Sequence, residues 1–128
     1  MTFLARSTIL AGALLAATCA TAQTAAPAKV AETSKGRALV DAKGMTLYTF
    51  DRDAAGKSNC NGTCAQNWPP LMASADAKAS GEWSLVKRDD GSMQWAYKGK
   101  PLYTWIKDTK AGDATGDGVN QVWHVAAP

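Results

Sequence analysis

One histidine, three cysteines and two phenylalanines among 128 residues leave little material for several kinds of chemistry. A lone His124 cannot build the multi-imidazole ligand sets of most transition-metal centres. Hydrolytic triads lack their parts as well: the serines sit in no nucleophile motif, and no acid partner for His124 is evident from the sequence. Neighbouring carboxylates, Asp51 with Asp53 and Asp89 with Asp90, fall at turns, where aspartate is common for backbone reasons. The expectation is a protein that is not an enzyme. Charge of one sign is also scarce. The formal net charge is +3, with no basic stripe, which argues against nucleic acid as a partner. No apolar run approaches the roughly 20 residues of a spanning helix; the longest, Ile9 to Ala17, is short and alanine-rich.

That run reads instead as the core of an export signal over residues 1–22. Arg6 supplies the positive start, and Ala20-Thr21-Ala22 the small-x-small cleavage pattern, so the mature chain is expected to begin at Gln23. Lipidation of Cys19 is the rival, but Thr18 directly before it fits a lipobox badly. Membrane contact is expected only if Cys19 is lipidated. Loss of Arg6 with the signal leaves 13 basic against 11 acidic residues, a nearly balanced mature protein of the periplasm or exterior. Residues 23–36, rich in Ala, Thr, Lys and Pro without periodicity, are expected to form a flexible tether to one domain over residues 37–128.

Two cysteines remain in the mature chain, Cys60 and Cys64, an even number in an oxidising compartment, and a disulfide is the expectation. The alternatives are a redox dithiol or a metal or haem ligand pair. Redox dithiols usually have two intervening residues, not three, and haem attachment wants histidine where Ala65 stands.

An internal repeat organises the rest. Lys43-Gly44 recurs as Lys98-Gly99, Leu47-Tyr48-Thr49 as Leu102-Tyr103-Thr104, Phe50 as Trp105, Asp53 as Asp108, Gln66 as Gln121 and Trp68 as Trp123, every pair 55 positions apart. The copies are delimited as 37–74 and 92–128. Each opens as a β-hairpin: Arg37–Ala42 and Met45–Phe50 around Lys43-Gly44, and Ser92–Tyr97 and Pro101–Trp105 around Lys98-Gly99. A further strand, Trp83–Arg88, enters the second copy through Asp89-Asp90-Gly91. Period-two alternation supports these strands, and no window shows a helical stripe. The fold class is mainly β, a small sandwich or barrel of about six to eight short strands built from two hairpin-containing repeats. Its thin core explains why five tryptophans and a disulfide occur together.

The signature of the chain is the unit Tyr48, Phe50, Asp53 and its copy Tyr103, Trp105, Asp108. Tyrosine and second aromatic lie two apart and share a strand face. The aspartate follows the strand, where it can accept loop N–H groups or a tyrosine proton. A core pair with a loop-closing carboxylate is favoured over a twofold ligand site lined by rings and carboxylates, because aromatic stripes at strand spacing are usually core.

This motif, with Cys60 to Pro70, the Asp90–Gly99 stretch and the closing Gly116–Val125 segment, resembles the bacterial "secreted repeat of unknown function" family, also described as predicted lipoproteins with a Y-x-[FWY]-x-x-D motif. The resemblance covers Arg37 to Pro128 and implies export and a tandem repeat, but no established activity. The chain departs from the lipoprotein description at Thr18-Cys19.

Metal candidates are weak. Asp108, Asp113 and Asp117 punctuate the Lys107–Asn120 loop in a composition that permits calcium, though not at EF-hand spacing. His124 could ligate copper or haem with Met45, Met72 or Met93 as a soft partner, but one histidine and scattered methionines point more to a surface residue. Two function classes stand: an exported, non-enzymatic envelope binding or interaction module for an unknown envelope component, requiring no cofactor, and a metal- or haem-associated accessory protein of periplasmic redox chemistry.

Overall fold

The computed structural model describes Gly12 and residues 26–128, so the rest of the signal segment 1–22, including Cys19, and the cleavage site before Gln23 lie outside the described residues. No helix among the described residues is long and apolar enough to cross a membrane. Eight short strands dominate: β1 (Lys29–Thr33), β2 (Gly36–Val40), β3 (Tyr48–Phe50), β4 (Met72–Ala73), β5 (Trp83–Lys87), β6 (Met93–Tyr97), β7 (Lys100–Pro101) and β8 (Trp123–Val125). One helical turn, α1 (Thr63–Asn67), and a 3₁₀ turn at Val119–Gln121 complete the chain. The strands pair antiparallel in three small sheets, β1–β2, β3–β8 and β4–β6–β5 with β7 against β6, and among the described residues they do not close into a barrel.

Turn chemistry sets the hairpins. Lys98 and Gly99 both have positive φ (51° and 80°), the primed two-residue geometry that matches strand twist, and Tyr97 faces Lys100 across it. At the β5–β6 turn, Asp90 accepts the Ser92 N–H at 2.9 Å and its hydroxyl at 2.5 Å. Both copies depart from expectation, since the expected Pro101–Trp105 strand follows β6 only through β7 and Leu102, whose N–H bonds Trp95. Met45–Phe50 does not run as one strand beside β2: the ladder continues only to Leu47, whose N–H bonds Leu39, and β3 then leaves to pair with β8.

The expected tether over 23–36 is also corrected. Its residues Lys29–Thr33 are β1, registered on β2 from Lys29↔Val40 to Thr33↔Gly36. Thr33 closes the tight turn by donating from Oγ1 to the Gly36 carbonyl at 2.7 Å. Backbone pairing holds this strand, whose side chains are half-exposed or exposed, so no apolar alternation marks it. With β1 included, each copy begins with a hairpin, β1–β2 in the first and β5–β6 in the second.

The copies interlock. Each motif strand pairs with the closing segment of the other copy: β3 with β8, and Tyr103–Ile106 with Asn67–Pro70 through Thr104 N–H to Pro69 (2.8 Å) and Ile106 N–H to Asn67 (3.1 Å). At the centre Tyr48 and Tyr103 exchange backbone bonds of 2.8 and 3.0 Å. Side chains alternate across these strands, so both faces are buried. Leu47 and Leu102 enter an aliphatic cluster with Ala28, Leu39 and Ala126, while Tyr48 and Tyr103 enter an aromatic cluster with Cys60, Trp68 and Trp123.

Candidate functional site

The motif tyrosines are fully buried, and each reaches across the copies for its acid. Tyr48 Oη donates to Asp108 at 2.5 Å, and Tyr103 Oη donates to Asp53 at 2.6 Å. The second oxygen of each carboxylate closes its own loop: Asp53 accepts Asn59 N–H at 2.7 Å, and Asp108 accepts Thr115 N–H at 2.9 Å and its hydroxyl at 2.6 Å. Burial first, then the hydrogen bond to the carboxylate, pushes both phenols well above their ordinary range. Burial likewise raises Asp53, against the bonds from Tyr103 and Asn59 and the Arg88 charge that lower it.

Around the tyrosines the other rings form one column: Phe50, Trp123, Trp68 and Trp105, with centroid separations of 4.2, 3.8 and 3.9 Å. Tyr48 meets Trp68 edge-on at 5.3 Å, and Tyr103 meets Trp123 edge-on at 5.1 Å. Cys60 and Cys64 are bridged, with Cα atoms 5.2 Å apart, and lie against this cluster. The motif is therefore core with a loop-closing acid. Its side chains are engaged with one another, and Phe50 and Trp105 keep partial exposure.

One buried polar network was not legible in the sequence. Arg88, 6% exposed, donates to Ser58 Oγ (2.9 Å), Gln94 Oε1 (2.8 Å) and the Cys60 carbonyl (2.7 Å). Ser58 in turn bonds Tyr103 Oη at 2.7 Å, tying the cation to the Tyr103–Asp53 pair. A buried guanidinium satisfied this way fixes the loop that carries the disulfide.

The metal candidates are not gathered. Among the described residues no three His, Cys, Asp or Glu side chains converge. Asp113 accepts Thr109 and Lys110 N–H groups, which hold it below the usual carboxylate range, and Asp117 accepts Val125 N–H at 3.0 Å. His124 has an acid partner after all: Nε2 lies 2.7 Å from Asp51 Oδ2, across the copies. Sequence separation hid it, since the β3–β8 register alone brings Thr49 opposite His124 and Asp51 beside it.

This His124–Asp51 pair stands in a surface cleft. Two adjoining cavities of about 310 and 290 Å³ share Thr49, Asp51, Lys98 and Lys100. Phe50, Asp53 and Ala54 line the first; Tyr97, Leu102, His124 and the chain end Val125–Pro128 line the second. The β6–β7 turn forms the partition. Lys98 lies over the Tyr97 ring, 5.2 Å from its centroid.

A family model described as a secreted repeat of unknown function matches residues 29–72 and again 84–127. The chain belongs to that family. No curated protein and no solved structure matches it. In this secreted repeat the two matches start each copy earlier than the 37–74 and 92–128 read from the sequence, at 29 and 84, and the first takes in β1. The family's description places the chain outside the cytoplasm.

The two matches also let the secreted repeat serve as its own control. Tyr, Leu, the column tryptophan and Asp recur in both copies and build the shared core. Of the cleft residues, Thr49 recurs as Thr104 and Lys98 as Lys43, but Asp51, His124, Lys100 and Tyr97 do not recur. At the same 55-residue offset Asp51 faces Ile106, His124 faces Pro69, Lys100 faces Met45 and Tyr97 faces Ala42. Three ionisable groups of the cleft, Asp51, His124 and Lys100, thus have no ionisable counterpart in the other copy.

Proposed function

We propose that the protein is an exported binding module of the bacterial cell envelope, not an enzyme, and that its ligand seat is the cleft between Asp51, His124 and the Lys98–Lys100 turn. One observation carries this reading: Asp51, His124 and Lys100, which have no ionisable counterpart in the other copy, gather around two adjoining cavities, while the motif tyrosines are consumed by the core. The cavities together suit a small polar ligand, at the low end of ordinary binding-site size. Two lysines, the Thr49 hydroxyl and the Asp51 carboxylate paired with the His124 imidazole favour a sugar or polyol carrying a carboxylate or phosphate, with the Tyr97 face for its carbon skeleton. An envelope glycan component fits that chemistry.

The test is a two-dimensional NMR titration with muramic acid and glycerol 3-phosphate as anionic probes and glucosamine and glycerol as their counterparts. The anionic probes should shift the amides of Thr49, Asp51, Lys98–Lys100 and His124. Replacing Lys98 and Lys100 by Ala should abolish the shifts while leaving the melting temperature unchanged, since both side chains are exposed. Shifts confined to other surfaces, or none at millimolar probe, would refute the site. A probe recovered chemically altered would refute the non-enzymatic part. A visible band or stoichiometric metal in protein isolated from the periplasm would instead support the accessory redox reading.

A further inference from the structure

The aromatic centre combines three things that packing alone does not call for together. Its column holds three tryptophans in consecutive contact, Trp123 on Trp68 at 3.8 Å with planes 2° apart, and Trp68 on Trp105 at 3.9 Å. Two buried tyrosines touch the inner pair of tryptophans edge-on. Each phenol has a carboxylate at 2.5–2.6 Å. Stacked indoles pass an electron vacancy from ring to ring because their π systems overlap. A tyrosine that loses an electron becomes a strong acid, so its oxidation is easy only where a base takes the proton at once. Asp108 and Asp53 stand in that position, and neither proton needs to diffuse.

The column also has a direction. Trp105 is half-exposed and ends it on one side, whereas the other end is Phe50, which is not oxidised at comparable potentials. The Lys107 ammonium lies 5.6 Å from the Trp105 ring centroid and disfavours a positive vacancy there. The buried Asp108 carboxylate favours it, more strongly for being away from water, and the part-exposed Asp53 beside the Arg88 cation favours it less. A vacancy created at Trp105 is drawn inward.

We infer that the interlocked centre is a proton-coupled electron relay serving a one-electron oxidant of the radical class. The oxidant takes one electron from Trp105 and is reduced. Trp68 refills Trp105, Trp123 shares the vacancy with Trp68, and Tyr48 or Tyr103 finally supplies the electron. As it does so, its phenolic proton moves to Asp108 or Asp53, leaving a neutral tyrosyl radical beside a neutral carboxylic acid. No covalent bond to carbon forms. A one-electron donor of the quinol class restores the tyrosine, and the acid returns the proton. The relay meets the surface cleft at Phe50 and Asp53, which line its first cavity, but its radical readout does not depend on what that cleft binds.

Pulse radiolysis of the disulfide-bonded protein with the azide radical, which oxidises tryptophan, tests the relay. The tryptophan radical band should appear first and decay by a first-order step, independent of protein concentration, as the tyrosyl band rises. Tyr48→Phe with Tyr103→Phe keeps every ring and should remove most of the rise, leaving only what Trp83 passes to Tyr97. Asp53→Asn with Asp108→Asn keeps acceptor oxygens but removes the bases, and should slow the rise at least about tenfold. Trp105→Phe should lower the tyrosyl yield, and Tyr97→Phe, which removes the phenol packed on Trp83 at 4.9 Å, should leave most of the rise in place. A rise that survives undiminished in the double Tyr→Phe protein, vanishes in Tyr97→Phe, or scales with protein concentration would overturn the proposal. Near-ultraviolet circular dichroism confirms that each variant retains the ring column. If the Asp→Asn protein fails to fold, the Tyr→Phe comparison still decides.

Discussion

Replacing Tyr48 by Phe removes one oxygen from a fully buried ring and leaves the column intact, so it isolates the bond to Asp108. A hydrogen bond to a charged group contributes about 1.5–3 kcal/mol, and the abandoned Asp108 oxygen and Gly116 N–H have no water to turn to. For a domain of this size, each kcal/mol lowers the melting temperature by about 4–8 °C. Asp108→Asn alone should cost less, because the amide oxygen still accepts the phenol while the charge-assisted part of the bond is lost. The decisive quantity is their coupling. In a double-mutant cycle, Tyr48→Phe and Asp108→Asn should show an interaction energy of about 1 kcal/mol, within the range for residues in direct contact. Tyr48→Phe with Asp53→Asn, the pairing inside one copy, should be additive to within about 0.5 kcal/mol. Urea unfolding at neutral pH measures all four corners of each cycle. Equal coupling in the two cycles, or stronger coupling inside the copy, would refute the crossed arrangement. Truncation to Ala is the coarser version: losing the Tyr48 or Tyr103 ring should cost about 3–5 kcal/mol, and a melt shifted by only about a degree would contradict burial of the motif.

Three further outcomes are expected. Cleavage within the exposed Ala75–Gly81 segment should leave two halves that co-elute under native conditions and separate in urea, because each motif strand is laddered to the other half; halves that part without denaturant would contradict the interlock. Thiol titration of unfolded, unreduced mature protein should find Cys60 and Cys64 blocked, and reduction should lower stability by about 2 kcal/mol on the chain-entropy view of a five-residue ring. At alkaline pH the two raised phenols act together: the unfolded chain ionises from its ordinary value of 10.0 while the folded one resists, so their contribution is complete below that pH and is lost as pH rises beyond it. Urea midpoints followed upward from neutral pH should fall more steeply in the native protein than in Tyr48→Phe with Tyr103→Phe, and equal slopes would contradict this.

Much of the architecture was legible in the residues because it is local. Lys98-Gly99 and Asp89-Asp90-Gly91 announce their turns by backbone preference, and the alternation of Met93, Trp95 and Tyr97 announces a strand. The constant 55-residue offset reveals duplication, and Tyr48 with Phe50 two apart reveals a shared face. These features depend on neighbours a few residues away, so the sequence by itself determined the β class, the two copies and the burial of the motif tyrosines. What it could not determine was partnership. Main-chain ladders have much the same energy whichever strands they join, so nothing in Tyr48-Thr49-Phe50 specifies β8 over the closing segment of its own copy. β1 escaped detection for the same reason, being held by backbone pairing with hardly any buried side chain to mark it. The crossing of Tyr48 to Asp108 and of Tyr103 to Asp53, the meeting of His124 with Asp51, and the enclosure of Arg88 among neutral acceptors were decided only by the tertiary structure. Each joins residues far apart in the chain, and their proximity exists only once the copies have threaded through one another.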